Sequence, residues 1–155
     1  MKTYVRGIKG SGLTRNKIIR AVEFYAERLG MSRRLRDNIM LYIKIDHKDF
    51  GYAGLCTWID EHVRPREFQI QIRYQGIHET LSTLAHEMVH VKQYAKGEMR
   101  DLMSSKDLIV WKGTRQSITN DDDTYLSQPW EAEAFSLEKK LKNAFVYQEK
   151  KAGLW

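Results

Sequence analysis

The sequence predicts an α+β protein, in the order helix, three strands, helix, irregular segment, helix. Three observations carry this. Apolar residues recur at helical spacing in three separate segments. Between the first two of these lie three strand-length runs, two of which alternate apolar with polar residues and one of which is nearly continuous apolar. Glycine and proline fall where the elements begin or end, and the chain has only two prolines, Pro65 and Pro129.

The first helix starts after Thr14, whose hydroxyl is placed to cap it, and runs to about Leu29. Ile18, Ile19, Val22, Tyr25, Ala26 and Leu29 form its apolar stripe, and Gly30 occupies the position after its C-terminus. In the first strand Ile39, Leu41, Ile43 and Ile45 alternate with Met40, Tyr42 and Lys44. The second, Tyr52 to Ile59, reads as buried on both faces. The third sets Phe68, Ile70 and Ile72 against Gln69, Gln71 and Arg73, as an edge strand or a strand with one solvated face. A long helix follows from Ile77 to Ala95, with Gly97 as its stop. Glu98 to Gln128 is irregular, with a short strand at Leu108–Trp111, then Lys112-Gly113, and an acidic run, Asp121 to Asp123, that suits a loop. Pro129 opens the last helix, which reaches about Lys150. Trp130, Ala134, Leu137, Leu141, Ala144 and Phe145 make its inward face, so Trp130, like Trp111, is expected in the core.

A chain of 155 residues makes one domain, 1–155, able to bury a core without staples. Its 42% hydrophobic and 30% charged residues argue against a wholly disordered chain. A single cysteine, Cys56, excludes an intrachain disulfide framework and a Cys-rich zinc knuckle. No apolar run approaches the roughly 18 residues that span a bilayer. Met1 to Gly12 lacks the apolar centre of a signal peptide. A cytoplasmic protein with no membrane partner is therefore expected. The net charge of +6 favours polyanions by non-specific attraction. Arg33, Arg34 and Arg36 come nearest to a basic cluster and read as a solvated face, with phosphate contact as the sharper alternative.

The chemistry lies in His86-Glu87-Met88-Val89-His90, an H-E-x-x-H pattern within the second long helix. Residues i and i+4 share a helix face, so two imidazoles can reach one metal ion. Glu87 projects beside them, placed to take a proton from a water that zinc acidifies. A catalytic zinc needs three protein ligands. The positions three and six after His90 hold Gln93 and Lys96, which excludes the extended metzincin pattern. A glutamate from a separate helix is the remaining common solution. Glu131 and Glu133 both flank the stripe headed by Trp130, about 200° apart on the wheel, so only one of them can face the metal. Periodicity does not choose between them.

These stretches resemble the gluzincin type of zinc metallopeptidase. Small phage-encoded metallopeptidases of SprT-like appearance share a stretch similar to Ala85-His86-Glu87-Met88-Val89-His90-Val91-Lys92-Gln93 and the Pro129-Trp130-Glu131 helix start. ImmA/IrrE-like peptidases share the Glu131-Ala132-Glu133-Ala134 type of helix. As an order of elements the resemblance covers residues 36 to 145.

The resemblance implies a zincin-like fold and a zinc-dependent hydrolase acting on a protein or peptide. Its implied ligands to Zn2+ are His86, His90 and Glu131, with Glu87 as general base. The family's Asp or Asn that would orient a histidine is Phe135 here, which keeps Glu133 as the alternative ligand. SprT proteins proper use a histidine as third ligand, and no histidine follows His90. Zincin-like folds place an edge strand antiparallel to the substrate just before the metal-binding helix, and Phe68–Arg73 stands in that position. Tyr125, Arg115 and His78 are candidates for a donor to the oxyanion. His47 and His62 read as surface residues in turns. A phage origin would place the protein in the host cytoplasm. Two other readings stay open. One is a DNA-associated SprT-like protease, with weak nucleic-acid association through the basic surface. The other is a catalytically silent, zinc-stabilised binding or regulatory module, against which the retained Glu87 stands.

Overall fold

The computed structural model describes residues 1–10, 12–60, 62–102, 108–118 and 127–155. Among them the fold is α+β, with four helices and two sheets. The chain opens with strand β1 (Lys2–Arg6), helix α1 (Arg15–Arg28) and a short helix α2 (Arg33–Asp37). Strands β2 (Met40–Asp46), β3 (Gly54–Trp58) and β4 (Glu67–Arg73) follow, then helix α3 (Ile77–Ala95). Three short strands, β5 (Met99–Asp101), β6 (Leu108–Trp111) and β7 (Thr114–Ser117), precede helix α4 (Pro129–Lys151).

The helices form where local chemistry starts and stops them. Thr14 caps α1 by accepting from the Lys17 amide at 3.1 Å, and Gly30, at φ +69°, turns the chain away. Gly97, at φ +73°, does the same after α3. Pro129 stands in the first turn of α4, where its missing N–H costs nothing. The expected stripes are the buried ones: Ile18, Val22, Tyr25 and Ala26 on α1, Trp130, Ala134, Leu141 and Phe145 on α4.

The main sheet is mixed, in the order β1-β2-β4-β3. β1 and β4 run parallel to β2, and β3 runs antiparallel to β4. Leu41, Ile43, Ile45, Phe68, Ile70 and Ile72 point into one core with α1, α3 and α4. The alternate residues of these strands face away from it.

Two expectations about strands are corrected here. The Phe68–Arg73 strand is not an edge, because β4 pairs with β2 on one side and β3 on the other. Its polar residues mark an outward face, not an unpaired backbone. The Tyr52–Ile59 run is not buried on both faces: among the described residues β3, like β1, is an edge strand, and Tyr52, Leu55 and Ile59 are exposed.

β1 and α2 are additional elements. Arg33, Arg34 and Arg36 lie on α2, where Arg36 pairs with Glu23 at 3.3 Å and Arg33 with Asp37 at 3.7 Å. β6, expected as a lone strand, is the middle of an antiparallel sheet, β5-β6-β7. Lys112 and Gly113 form its two-residue hairpin turn, both at positive φ. Trp111 on β6 is buried against Trp130 of α4, the rings 6.2 Å apart. No helix among the described residues is long and apolar enough to cross a membrane.

Candidate metal centre

α3 and α4 pack along one another and bring three donors together. His86 Nε2 lies 3.2 Å from His90 Nε2 and 3.2 Å from Glu131 Oε2. His90 Nε2 lies 3.4 Å from Glu131 Oε1. All three residues are buried, and together they form a cluster able to hold a metal ion. A tetrahedral ion with arms of about 2.0–2.1 Å spaces its ligand atoms about 3.3–3.4 Å apart. The observed separations match that edge.

The tautomers follow from the neighbours. His86 Nδ1 faces Glu138 Oε2 at 3.0 Å, and a carboxylate only accepts, so Nδ1–H donates. Gln93 Nε2 donates to the Trp130 carbonyl and to Glu133 Oε2, both at 2.9 Å. Its oxygen therefore accepts from His90 Nδ1–H at 2.8 Å. With both Nδ1 atoms engaged by Glu138 and Gln93, the two Nε2 atoms and the Glu131 carboxylate converge on one point. A cation there, a proton on Nε2 or a metal ion, balances the buried carboxylate.

The protonation equilibria carry the same imprint. Burial opposes ionisation of Glu131, but hydrogen bonds to His86 and His90 outweigh it and hold its pKa down to about 2. Burial likewise opposes a charged His90, yet Glu131 and Glu87 prevail and its pKa rises. Glu87 rises too: burial raises it, His90 and His86 pull it down, and Glu131 and Glu138 push it up again.

Glu133, the alternative ligand, points elsewhere. Lys92 Nζ donates to its Oε2 at 3.0 Å and to Glu98 at 2.7 Å, and Lys112 Nζ lies 3.6 Å from its Oε1. Those cations, with Gln93, hold its pKa below the usual carboxylate value although burial works against them.

Phe135 does not orient a histidine by hydrogen bonding; its ring stands edge-on to His86, 4.6 Å between centroids. Glu138, seven residues after Glu131 and on the same helix face, supplies the carboxylate partner. Neither Glu138 nor Gln93 was singled out as a hydrogen-bond partner from sequence. Their signals were the spacing from Glu131 and the i, i+3 spacing from His90.

The cluster opens into a cavity of about 380 Å³. Its walls are β3 and the residues before it, α3, α4, and Met99 and Ile109 of the small sheet. Glu87 lines the cavity beside Gly54 of β3. Cys56 also lines it, although in sequence it lies far from the two histidines. Burial and the neighbouring Glu87 raise its thiol pKa well above normal, so it stands there as a neutral thiol.

The proposed oxyanion donors lie apart. His78 is exposed in the first turn of α3, its ring 5.1 Å from that of Trp155, and Arg115 is exposed on β7. Neither lines the cavity. Tyr125 and Asp121 to Asp123 lie outside the described residues. His47 and His62 are exposed, as expected. No protein-family model, curated protein or solved structure matches the chain.

Proposed function

We propose that this protein is a zinc-dependent peptidase of gluzincin type with a zincin-like fold. One observation carries the reading: two imidazoles with fixed tautomers and one carboxylate converge on a single point, with the Glu87 carboxylate beside them in the same cavity. Two nitrogens and one carboxylate oxygen suit zinc with a fourth position open.

Bound zinc would acidify a water and polarise a peptide carbonyl. His86, His90 and Glu131 hold the ion, and Glu138 and Gln93 hold the histidines. Glu87 takes the proton from the attacking water and delivers it to the leaving amine nitrogen.

β3 takes the role first expected of Phe68–Arg73. Ala53 and Ile59 bond to β4, through Arg73 N to Ala53 O at 2.9 Å and Ile59 N to Glu67 O at 2.8 Å. By antiparallel alternation Gly54, Cys56 and Trp58 turn their N–H and C=O groups to the side of β3 that pairs with no other described strand, where an extended peptide can pair. Exposed Tyr52, Leu55 and Phe135 rim the cavity and favour apolar side chains beside the scissile bond.

The test is elemental analysis of protein purified without chelator or metal-affinity resin, paired with cleavage of a fluorogenic peptide library. The expected result is about one zinc per chain. Glu87→Gln keeps that zinc and loses about 10²–10⁴-fold in kcat. Zinc that is neither bound nor taken up on addition, or full activity in Glu87→Gln, overturns the reading.

A further inference from the structure

The face of the main sheet turned away from the core carries an ordered set of side chains that the metal centre does not use. In register across β1, β2 and β4 run Tyr4, Tyr42 and Gln69, and beside them Arg6, Lys44 and Gln71. An aromatic row thus lies against a cationic row, and each ends in an amide. The Tyr4 and Tyr42 rings stack at 5.2 Å between centroids and 14° between planes. Tyr4 is 52% exposed, so its outer ring is open to a ligand. A shallow cavity of about 350 Å³ lies here, lined by Tyr4, Arg6, Tyr42, Lys44, Glu67 and Gln69 among others.

We propose that this Tyr4–Tyr42 platform binds single-stranded nucleic acid. Each element matches a part of that ligand. Stacked rings accept any base on their π-face. The outward residues beside the platform include Lys2, Arg6 and Lys44 against Asp46 and Glu67, a small cationic excess that suits phosphates. Lys44 is paired to Asp46 at 2.8 Å, which leaves Arg6 and Lys2 as the cations of this face that meet phosphates. Gln69 offers a donor and an acceptor to base edges on the next strand, while the Gln71 amide donates to Asp46. A duplex hides its base faces, so the platform discriminates against it. The basic residues of α2 are a separate patch, with Arg36 and Arg33 already paired to acids.

The site is independent of the metal centre, and its test leaves that centre alone. The whole protein is titrated against fluorescein-labelled oligothymidylate and oligouridylate of about 12 nucleotides, and a duplex of equal length, by anisotropy over a salt series. Single strands should bind more tightly than duplex. Tyr4→Ala should weaken binding roughly tenfold or more, and Tyr4→Phe, which keeps the ring, only slightly. Arg6→Gln should reduce the salt slope by about 0.7. A paired Arg33→Gln, Arg34→Gln change should leave the affinity in place. Thermal melts verify that each variant folds. The proposal is overturned by equal binding of duplex and single strand. It is overturned too by unchanged affinity in Tyr4→Ala, by loss of affinity on changing Arg33 and Arg34 instead, or by no saturable binding at low salt.

Discussion

Gly54 lies against the carboxylate of Glu87. A β-carbon at Gly54 would collide with Glu87 Oε1 and stand 2.6 Å from Thr83 Cγ2. Gly54 is on an edge strand and Glu87 on α3, so the lack of one side chain sets how closely strand and helix approach at the cavity.

Gly54→Ala should therefore move Glu87 without touching the metal cluster. Zinc content should stay at the wild-type level while kcat falls roughly 10²-fold, the scale of a 1 Å misplacement. Elemental analysis and steady-state kinetics on one preparation separate the two. Unchanged kcat would show that Glu87 has room to shift harmlessly.

Glu131→Ala and Glu133→Ala should fail in different ways. Glu131→Ala removes a ligand and should abolish zinc retention. Glu133→Ala should keep zinc but leave the buried Lys92 and Gln93 short of a partner, costing about 1–3 kcal/mol in urea unfolding. Zinc lost from Glu133→Ala alone would reverse the assignment.

Glu138→Ala and Gln93→Ala should each weaken zinc binding 10–100-fold, because each frees a histidine ring to rotate. Competition against a calibrated chelator measures this without any substrate. Affinity equal to wild type in both would remove the orienting role.

Glu133 should also contribute to acid stability. Its pKa is lowered on folding, so its contribution is fully present above the unfolded carboxylate value of about 4.5. It is lost as pH falls through the lower folded value. In chelator-treated protein, the stability gap between wild type and Glu133→Gln should be steady at pH 6–7 and close on descending below about pH 4. A gap that widens with acid would contradict the sign.

Much of this was legible because local chemistry carries it. Thr14, Gly30, Gly97 and Pro129 mark helix ends through their own backbone or side-chain geometry, with no help from distant residues. His86 and His90 share a face by helical repeat alone. β1 was missed because Val5 is its only buried residue and its partner β2 lies some forty residues on. β3 was read as buried because Tyr52, Leu55 and Ile59 are apolar, yet they face solvent at the edge. For β4, alternation reported which way side chains point and was silent on whether backbone groups were paired. Glu131 could not be told from Glu133 by periodicity, because what separates them is Lys92 and Gln93 on another helix.

The spacing along α4 has a further consequence. Phe135 follows Glu131 by four residues, just over one helical turn and about 6 Å along the axis. If α4 slid one turn past α3, a phenyl ring would replace the carboxylate opposite the two imidazoles. The packing of the two helices thus has one register that sets a carboxylate, and not a phenyl ring, opposite the imidazoles. Gln93 holds the Trp130 carbonyl, Lys92 holds Glu133, and Arg20 grips Glu149 through a two-pronged contact at 2.9 and 2.6 Å. Pinned at its first turns and near its last, α4 keeps the register in which the carboxylate faces His86 and His90.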